Sequence, residues 1–119
     1  MESFRELVVW QKAMALVEQV YQVKKAFPRE ELYSLTNQIR RASVSVPSNI
    51  AEGYGRQSTQ DYIRFLLIAR DSLNEARTQP EIAKRLLYLP SKNFVCLESL
   101  ALEIERMLTS LVTKLRTHL

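Results

Sequence analysis

Apolar side chains recur every three or four residues along four stretches of this chain, with polar residues filling the gaps. From Val9 to about Phe27, the residues Val9, Ala13, Leu16, Val17, Val20, Tyr21 and Phe27 keep that spacing, and Lys12, Gln19, Gln22 and Lys25 lie between them. This predicts a first amphipathic helix. Pro28 cannot continue it, and the acidic residues of "FPREELYSL" suit the positive end of a second helix. That helix is expected from about Glu31 to Tyr54, because Leu35, Ile39, Ala42, Val46 and Ile50 share a narrow sector when each residue advances about 100°. Pro47 sits within this run. It removes one amide donor and crowds the carbonyl of Ser43 at a cost of about 3 kcal/mol, so a kink between Ser43 and Pro47 is expected. Gly53 and Gly55 then permit the chain to turn.

Ser58 is a good N-cap for a third helix starting at about Thr59, with Asp61 acting on the exposed amides of its first turn. Its core stripe reads Tyr62, Phe65, Leu66, Ala69, Leu73 and Ala76; Pro80 interrupts before Ala83, Leu86 and Leu87, which predicts a bend near Arg77 to Pro80. "YLPSKN" ends this helix. The fourth has the cleanest pattern, Phe94, Leu97, Ala101, Ile104, Leu108, Leu111 and Leu115, with Lys114 and Arg116 suited to its C-terminus. Four amphipathic helices on short connections imply an all-α fold. The expected architecture is an up-down-up-down antiparallel four-helix bundle with Pro-kinked helices two and three, as one domain over residues 1–119.

Two groups of residues do not fit a plain bundle. On the wheel of helix three, Ile63 and Leu67 lie to one side of the core stripe and Ile68 almost opposite it, more than one core would cover. The expectation is a second apolar face for self-association, against the alternative of scattered surface residues. In helix two, Asn49 falls inside the apolar sector, with Arg41, Ser45, Ser48 and Glu52 along its edge. A buried amide needs partners, and the Ser43 carbonyl freed by Pro47, together with nearby Ser and Tyr hydroxyls, is the expected supply. Glu52 could pair with an arginine such as Arg56 or one from a neighbouring helix. Pro47, Asn49, Glu52, Gly53 and Gly55 are therefore read together as a packed polar junction.

Composition narrows the functional classes. With 119 residues, 46% of them hydrophobic, and only 2 Gly and 4 Pro, the chain is far from disorder and can bury a core without staples. Cys96 is the only cysteine, so no intramolecular disulfide can form, and it is read as lying near the core. The start lacks the basic and apolar features of a secretory signal, and no apolar run is long enough to span a bilayer, so a cytoplasmic location without membrane association is expected.

The formal net charge is +4 and the pI about 9.4, a mild lean toward anionic partners. Arg40, Arg41, Arg56, Arg64, Arg70 and Arg77 are the candidates for clamping phosphates of RNA or DNA without reading bases. Asp61, Asp71 and Glu75 are interspersed among them, and neither a reading motif nor an aromatic platform is recognisable. Trp10, Tyr21 and Tyr62 are assigned to packing, with Tyr54 left open. An enzyme is disfavoured: His118 is the only histidine, and the Glu-x-x-His arrangement of bundle metal sites is missing around Glu52 and Glu75. No catalytic residue, metal, cofactor or small-molecule substrate is expected. The competing account is a structural or adaptor module that binds another protein.

The segments "LVVWQKA", "FPREELYSLTNQIRRASVSVPSNIAEGYGRQS" and "DYIRFLLIARDSLNEARTQ" add a resemblance covering nearly the whole chain. It resembles the small four-helix-bundle proteins encoded in intervening sequences of bacterial 23S ribosomal RNA genes. It is also similar to the accessory variability determinant proteins of diversity-generating retroelements, which share the bundle and a basic surface. Arg40, Arg41, Pro47, Asn49, Glu52, Gly53, Gly55 and Arg56 match the family's signature, as do Phe65, Leu66, Ala69, Ser72 and Glu75. The resemblance implies a bundle assembling as a homopentameric ring around a central channel, without established enzymatic activity. Asp71, where glycine is usual, and Pro80, where an apolar helix former is usual, depart from the pattern.

Overall fold

The computed structural model describes residues 3–119. Four long helices carry the fold: α1 (Val8–Val23), α2 (Leu35–Tyr54), α3 (Thr59–Arg85) and α4 (Ser91–Arg116). Short 3-10 turns occupy Phe4–Glu6, Lys24–Ala26 and Arg29–Glu31, and the described residues contain no strand. Each helix packs on its two chain neighbours around a closed square, with α1 against α2 and α4, and α3 against α2 and α4. The pairing is antiparallel: Ser45 meets Ser72 while Gly53 meets Phe65, and Lys84 meets Phe94 while Arg77 reaches Glu105. The result is the expected up-down-up-down bundle. Its 46 Å long axis follows from the 27-residue α3, which at 1.5 Å per residue spans about 40 Å.

The core is aliphatic and follows the helical period. Leu35, Ile39, Ala42, Val46 and Ile50 of α2 are all buried, as are Val9, Ala13, Leu16 and Val20 of α1 and Leu97, Ala101, Ile104 and Leu108 of α4. Burying one such aliphatic side chain stabilises the fold by about 1.5–3 kcal/mol, so the shared dry interior holds the four helices together.

Boundaries shift where turn chemistry intervenes. α1 tightens into a 3-10 turn at Lys24, so Phe27 is extended rather than helical, although still buried. α2 begins at Leu35 instead of Glu31, because Arg29–Glu31 closes a separate turn after Pro28. Both interior prolines lie in unbroken helix, Pro47 in α2 and Pro80 in α3. The third helix stops at Arg85. Leu87 adopts a left-handed φ of 65°, and the amides of Leu87 and Tyr88 return to the carbonyls of Lys84 and Ala83. This is a Schellman cap built on leucine where glycine would be unstrained.

The buried face of α3 is rotated from the expected one. Ile63 is buried among the core residues, while Tyr62 and Phe65 are half-buried at its edge. One chain therefore covers Ile63 by itself, which corrects its reading as a residue left over for self-association. Leu67 is half-buried against the core, and Ile68 is 36% exposed. The glycines also differ from expectation, since neither has a positive φ. Gly53 is needed for close approach of α2 and α3 rather than for a turn.

Candidate nucleic-acid interface

Pro47 sits in an interior turn of α2, and the polar side chains around it are all engaged. Ser43 is fully buried and donates to the Arg40 carbonyl at 3.0 Å. Asn49 donates to the Ser45 carbonyl at 2.8 Å and to Ser45 Oγ at 2.9 Å, so its partner is Ser45 and not the Ser43 carbonyl freed by Pro47. Ser45 Oγ in turn lies 2.8 Å from Ser72 Oγ on α3. The polar junction is thus a relay, Asn49 to Ser45 to Ser72, joining two helices. Glu52 stands apart from it in an i,i+4 ion pair with Arg56.

The six candidate arginines divide into engaged and unengaged. Arg77 donates through Nε and Nη2 to Glu98 Oε1 at 3.0 and 2.6 Å, and through Nη1 to Glu105 Oε2 at 2.9 Å. Hydrogen bonding to Glu98 raises its pKa further above the ordinary range, although partial burial opposes this. Arg77 is a clamp between α3 and α4, its charge already met by two carboxylates of the same chain. Arg56 and Arg64 pair with Glu52 and Asp61, and each guanidinium carbon lies 4.6 Å from the Phe65 ring centroid. Their charges are largely met within the chain. Arg40, Arg41 and Arg70 make no ion pair among the described residues.

Arg40 and Arg41 project from consecutive positions of α2 and border a pair of grooves. On the α1 side, Tyr21, Arg40, Arg41, Val44 and Ser45 line a groove of about 350 Å³. Tyr21 is 38% exposed, which corrects its assignment to the core, and its ring lies 5.7 Å from Arg40 Cζ and 5.3 Å from Lys24 Nζ. Stacking on an aromatic face holds cations at the surface without neutralising them. Arg40 Nε is buried without an acceptor among the described residues. On the α3 side, a larger groove of about 790 Å³ is lined by Arg41 and Ser45 of α2, Ser72, Glu75 and Gln79 of α3, and Tyr33 of the preceding turn. Arg41 and Ser45 border both grooves.

Sequence reasoning missed Tyr33, Gln79 and Lys24. Tyr33 carried no periodic signal because it lies between helices, and Gln79 lies one turn beyond Glu75 on a face the expected stripe left to solvent. Trp10 packs against the core as expected and edge-on to Phe4 at 5.3 Å, and Tyr54, for which no role is assigned from sequence, stands edge-on to Tyr62 at 6.1 Å. Cys96 is exposed, contrary to its reading as near the core, because α4 turns it away from the Leu97 and Ala101 face. At the opposite corner of the α2–α3 pair, Glu31 accepts from Ser34 Oγ at 2.6 Å and from the Tyr88 hydroxyl at 3.2 Å. The Ser34 contact holds the Glu31 carboxyl below its ordinary pKa, and desolvation, then Glu31, push the Tyr88 phenol up. No group of three or more metal-ligating side chains occurs among the described residues, and no helix among them is long and apolar enough to cross a membrane.

A family profile described as 23S rRNA-intervening sequence protein matches residues 5–110. A solved structure from Bacteroides thetaiotaomicron, described as a protein of unknown function from the S23 ribosomal protein family, is 26% identical, with a TM-score of 0.81 over 87% of this chain and 97% of its own. No curated protein matches the sequence.

Proposed function

The chain belongs to the family of 23S rRNA-intervening sequence proteins, and from that premise we propose that it is a non-enzymatic, self-assembling helical bundle whose basic α2 ridge associates with RNA or DNA without strong sequence reading. The observation that carries this reading is the state of Arg40 and Arg41: adjacent cations, bordering two grooves, without a carboxylate partner among the described residues. Guanidinium groups left free at a surface are suited to phosphates. Lys24, held over Tyr21, extends the cationic strip onto the α1 side. Arg70 adds on α3 a charge without an ion pair among the described residues.

Assembly would multiply that field. The exposed apolar side chains Ile68, Ile82 and Leu86 on α3 support self-contact, with Leu67 contributing its uncovered part. A ring of five, as the resemblance implies, would carry about +20 from a formal +4 per copy. The same side chains also suit the adaptor reading, in which their partner is another protein.

A gel-shift titration with single-stranded and duplex RNA and DNA across a salt series tests the nucleic-acid part. Affinity that falls log-linearly with salt is expected, and absence of binding at low salt rejects it in favour of the adaptor. Light scattering at several concentrations tests the assembly part, where a stable monomer is the refuting result.

A further inference from the structure

Three features of the α2–α3 groove are not explained by attraction of phosphates alone. Tyr33 is 91% exposed and has no ring partner among the described residues, so a flat aromatic face stands open at the groove's edge. Gln79 is 9% exposed, and its buried Oε1 has no donor among the described residues, which gives the side chain a standing reason to move toward one. Glu75, one turn before Gln79, is exposed and makes no ion pair among the described residues, not even with Arg41 of the same groove. The α3 wall therefore offers an exposed acceptor from Glu75 and, once the Gln79 side chain turns outward, a second from its Oε1. Across the floor marked by Ser45 and Ser72, Arg41 offers only donors.

An open aromatic face beside a polar groove suits an unstacked nucleobase. Of the four common bases, guanine alone presents two neighbouring donor groups, N1–H and the 2-amino group, on its Watson–Crick edge. Its other edge presents O6 and N7, the pair that arginine recognises with two hydrogen bonds. Adenine and cytosine each offer one amino group beside an acceptor, which a carboxylate would repel. Only an unpaired guanine has its donor edge free. We infer that the α2–α3 groove takes an unpaired guanine of a single-stranded segment, stacked on Tyr33, with its donor edge toward Glu75 and Gln79 and its acceptor edge toward Arg41. This rests on the reading that the chain associates with nucleic acid, and adds a single-base preference to it.

The test is fluorescence anisotropy of the full chain with labelled uridine ten-mers carrying one central guanine, inosine or adenine, made both as RNA and as the matching thymidine-based DNA. The guanine oligomer should bind about tenfold tighter than the all-pyrimidine one, and inosine, which lacks the 2-amino group, should lose most of that gain. Glu75→Gln should bring guanine and inosine together, while the loss of one negative charge from the groove strengthens binding of every oligomer by a similar factor. Tyr33→Ala should weaken guanine binding about tenfold. Both changes fall at exposed positions, and circular dichroism melts confirm that the variants fold. A guanine preference in either arm sustains the inference, and its restriction to RNA would add the 2′-hydroxyl to the recognised groups. Equal, salt-dependent binding of all oligomers overturns the guanine site while the electrostatic association stands. Failure of every oligomer to bind at low salt overturns both.

Discussion

Gly53 lies so close to Phe65 that a β-carbon added to the glycine would stand 2.8 Å from the β-carbon of Phe65. It would also meet Tyr62 Cδ1 at 3.1 Å and the Tyr62 carbonyl oxygen at 3.2 Å. Two of these three atoms are fixed to the α3 backbone, so the helices themselves would have to separate. Gly53→Ala is expected to destabilise the bundle by about 1–3 kcal/mol, although the same change inside an unobstructed helix gains about 1 kcal/mol. At Gly55 an added β-carbon finds only helix carbonyls at 3.7 and 3.9 Å, and φ is −80°. Gly55→Ala should therefore be neutral or stabilising by about 0.4–1 kcal/mol. Urea denaturation of the two variants checks the pair, and similar midpoints for both would contradict the close-approach argument.

Leu87 is 90% exposed in a left-handed conformation that costs a leucine about 1 kcal/mol or somewhat more. Its side chain returns almost no burial to offset that. Leu87→Gly should raise the thermal midpoint, with a gain of about 1 kcal/mol. Calorimetry showing a lowered midpoint would mean that the leucine contributes a contact outside its own chain.

Arg77 and Arg41 should separate stability from binding. Arg77→Met leaves Glu98 and Glu105 half-buried and facing each other, with an expected loss of about 1–2 kcal/mol. Its effect on nucleic-acid affinity should be small. Arg41→Ser should leave the urea midpoint nearly unchanged, weaken binding of every sequence through the lost positive charge, and weaken guanine-bearing oligomers most, since the same guanidinium faces the guanine acceptor edge. The reverse pattern would place the phosphate contact on the α3–α4 face.

The turn joining Arg29–Glu31 to the end of α3 should respond to acid. The folded state holds Glu31 below its ordinary pKa, chiefly through Ser34, so it prefers the carboxylate. That contribution is present above the unfolded value of about 4.5 and is lost as pH falls through the lowered folded value. The stability difference between the parent chain and Glu31→Gln should therefore shrink as pH drops from 6 to about 3. A difference that stays constant over that range would exclude the carboxylate as its source.

The legible part of this molecule was whatever depended on period. The α2 and α4 cores can be read from spacing alone, because a helix with one dry side writes that side into every third or fourth residue. α3 was harder to read. Its apolar residues cover most of its circumference, so the wheel could not tell whether Tyr62 or Ile63 pointed inward; the contact of Gly53 with Phe65 and Tyr62 rotates the helix and buries Ile63. Pairings between distant residues were illegible for another reason. Arg77 with Glu98 and Ser45 with Ser72 depend on helix register, which no local pattern records. The candidate arginines can be found by residue type, and the pairing of Arg56 and Arg64 is local, at i,i+4 and i,i+3, whereas that of Arg77 arrives from another helix.

Arg41 has one guanidinium and two clefts to serve. A guest that draws it toward α1 strips the α3 side of its lining cation, and the converse holds equally. Any handicap that the first occupant imposes on the second must be returned in the same measure, since the cycle of two loading orders closes on one energy. The crest of α2 thus behaves as a seesaw, and titrating one cleft is a way of weighing the other.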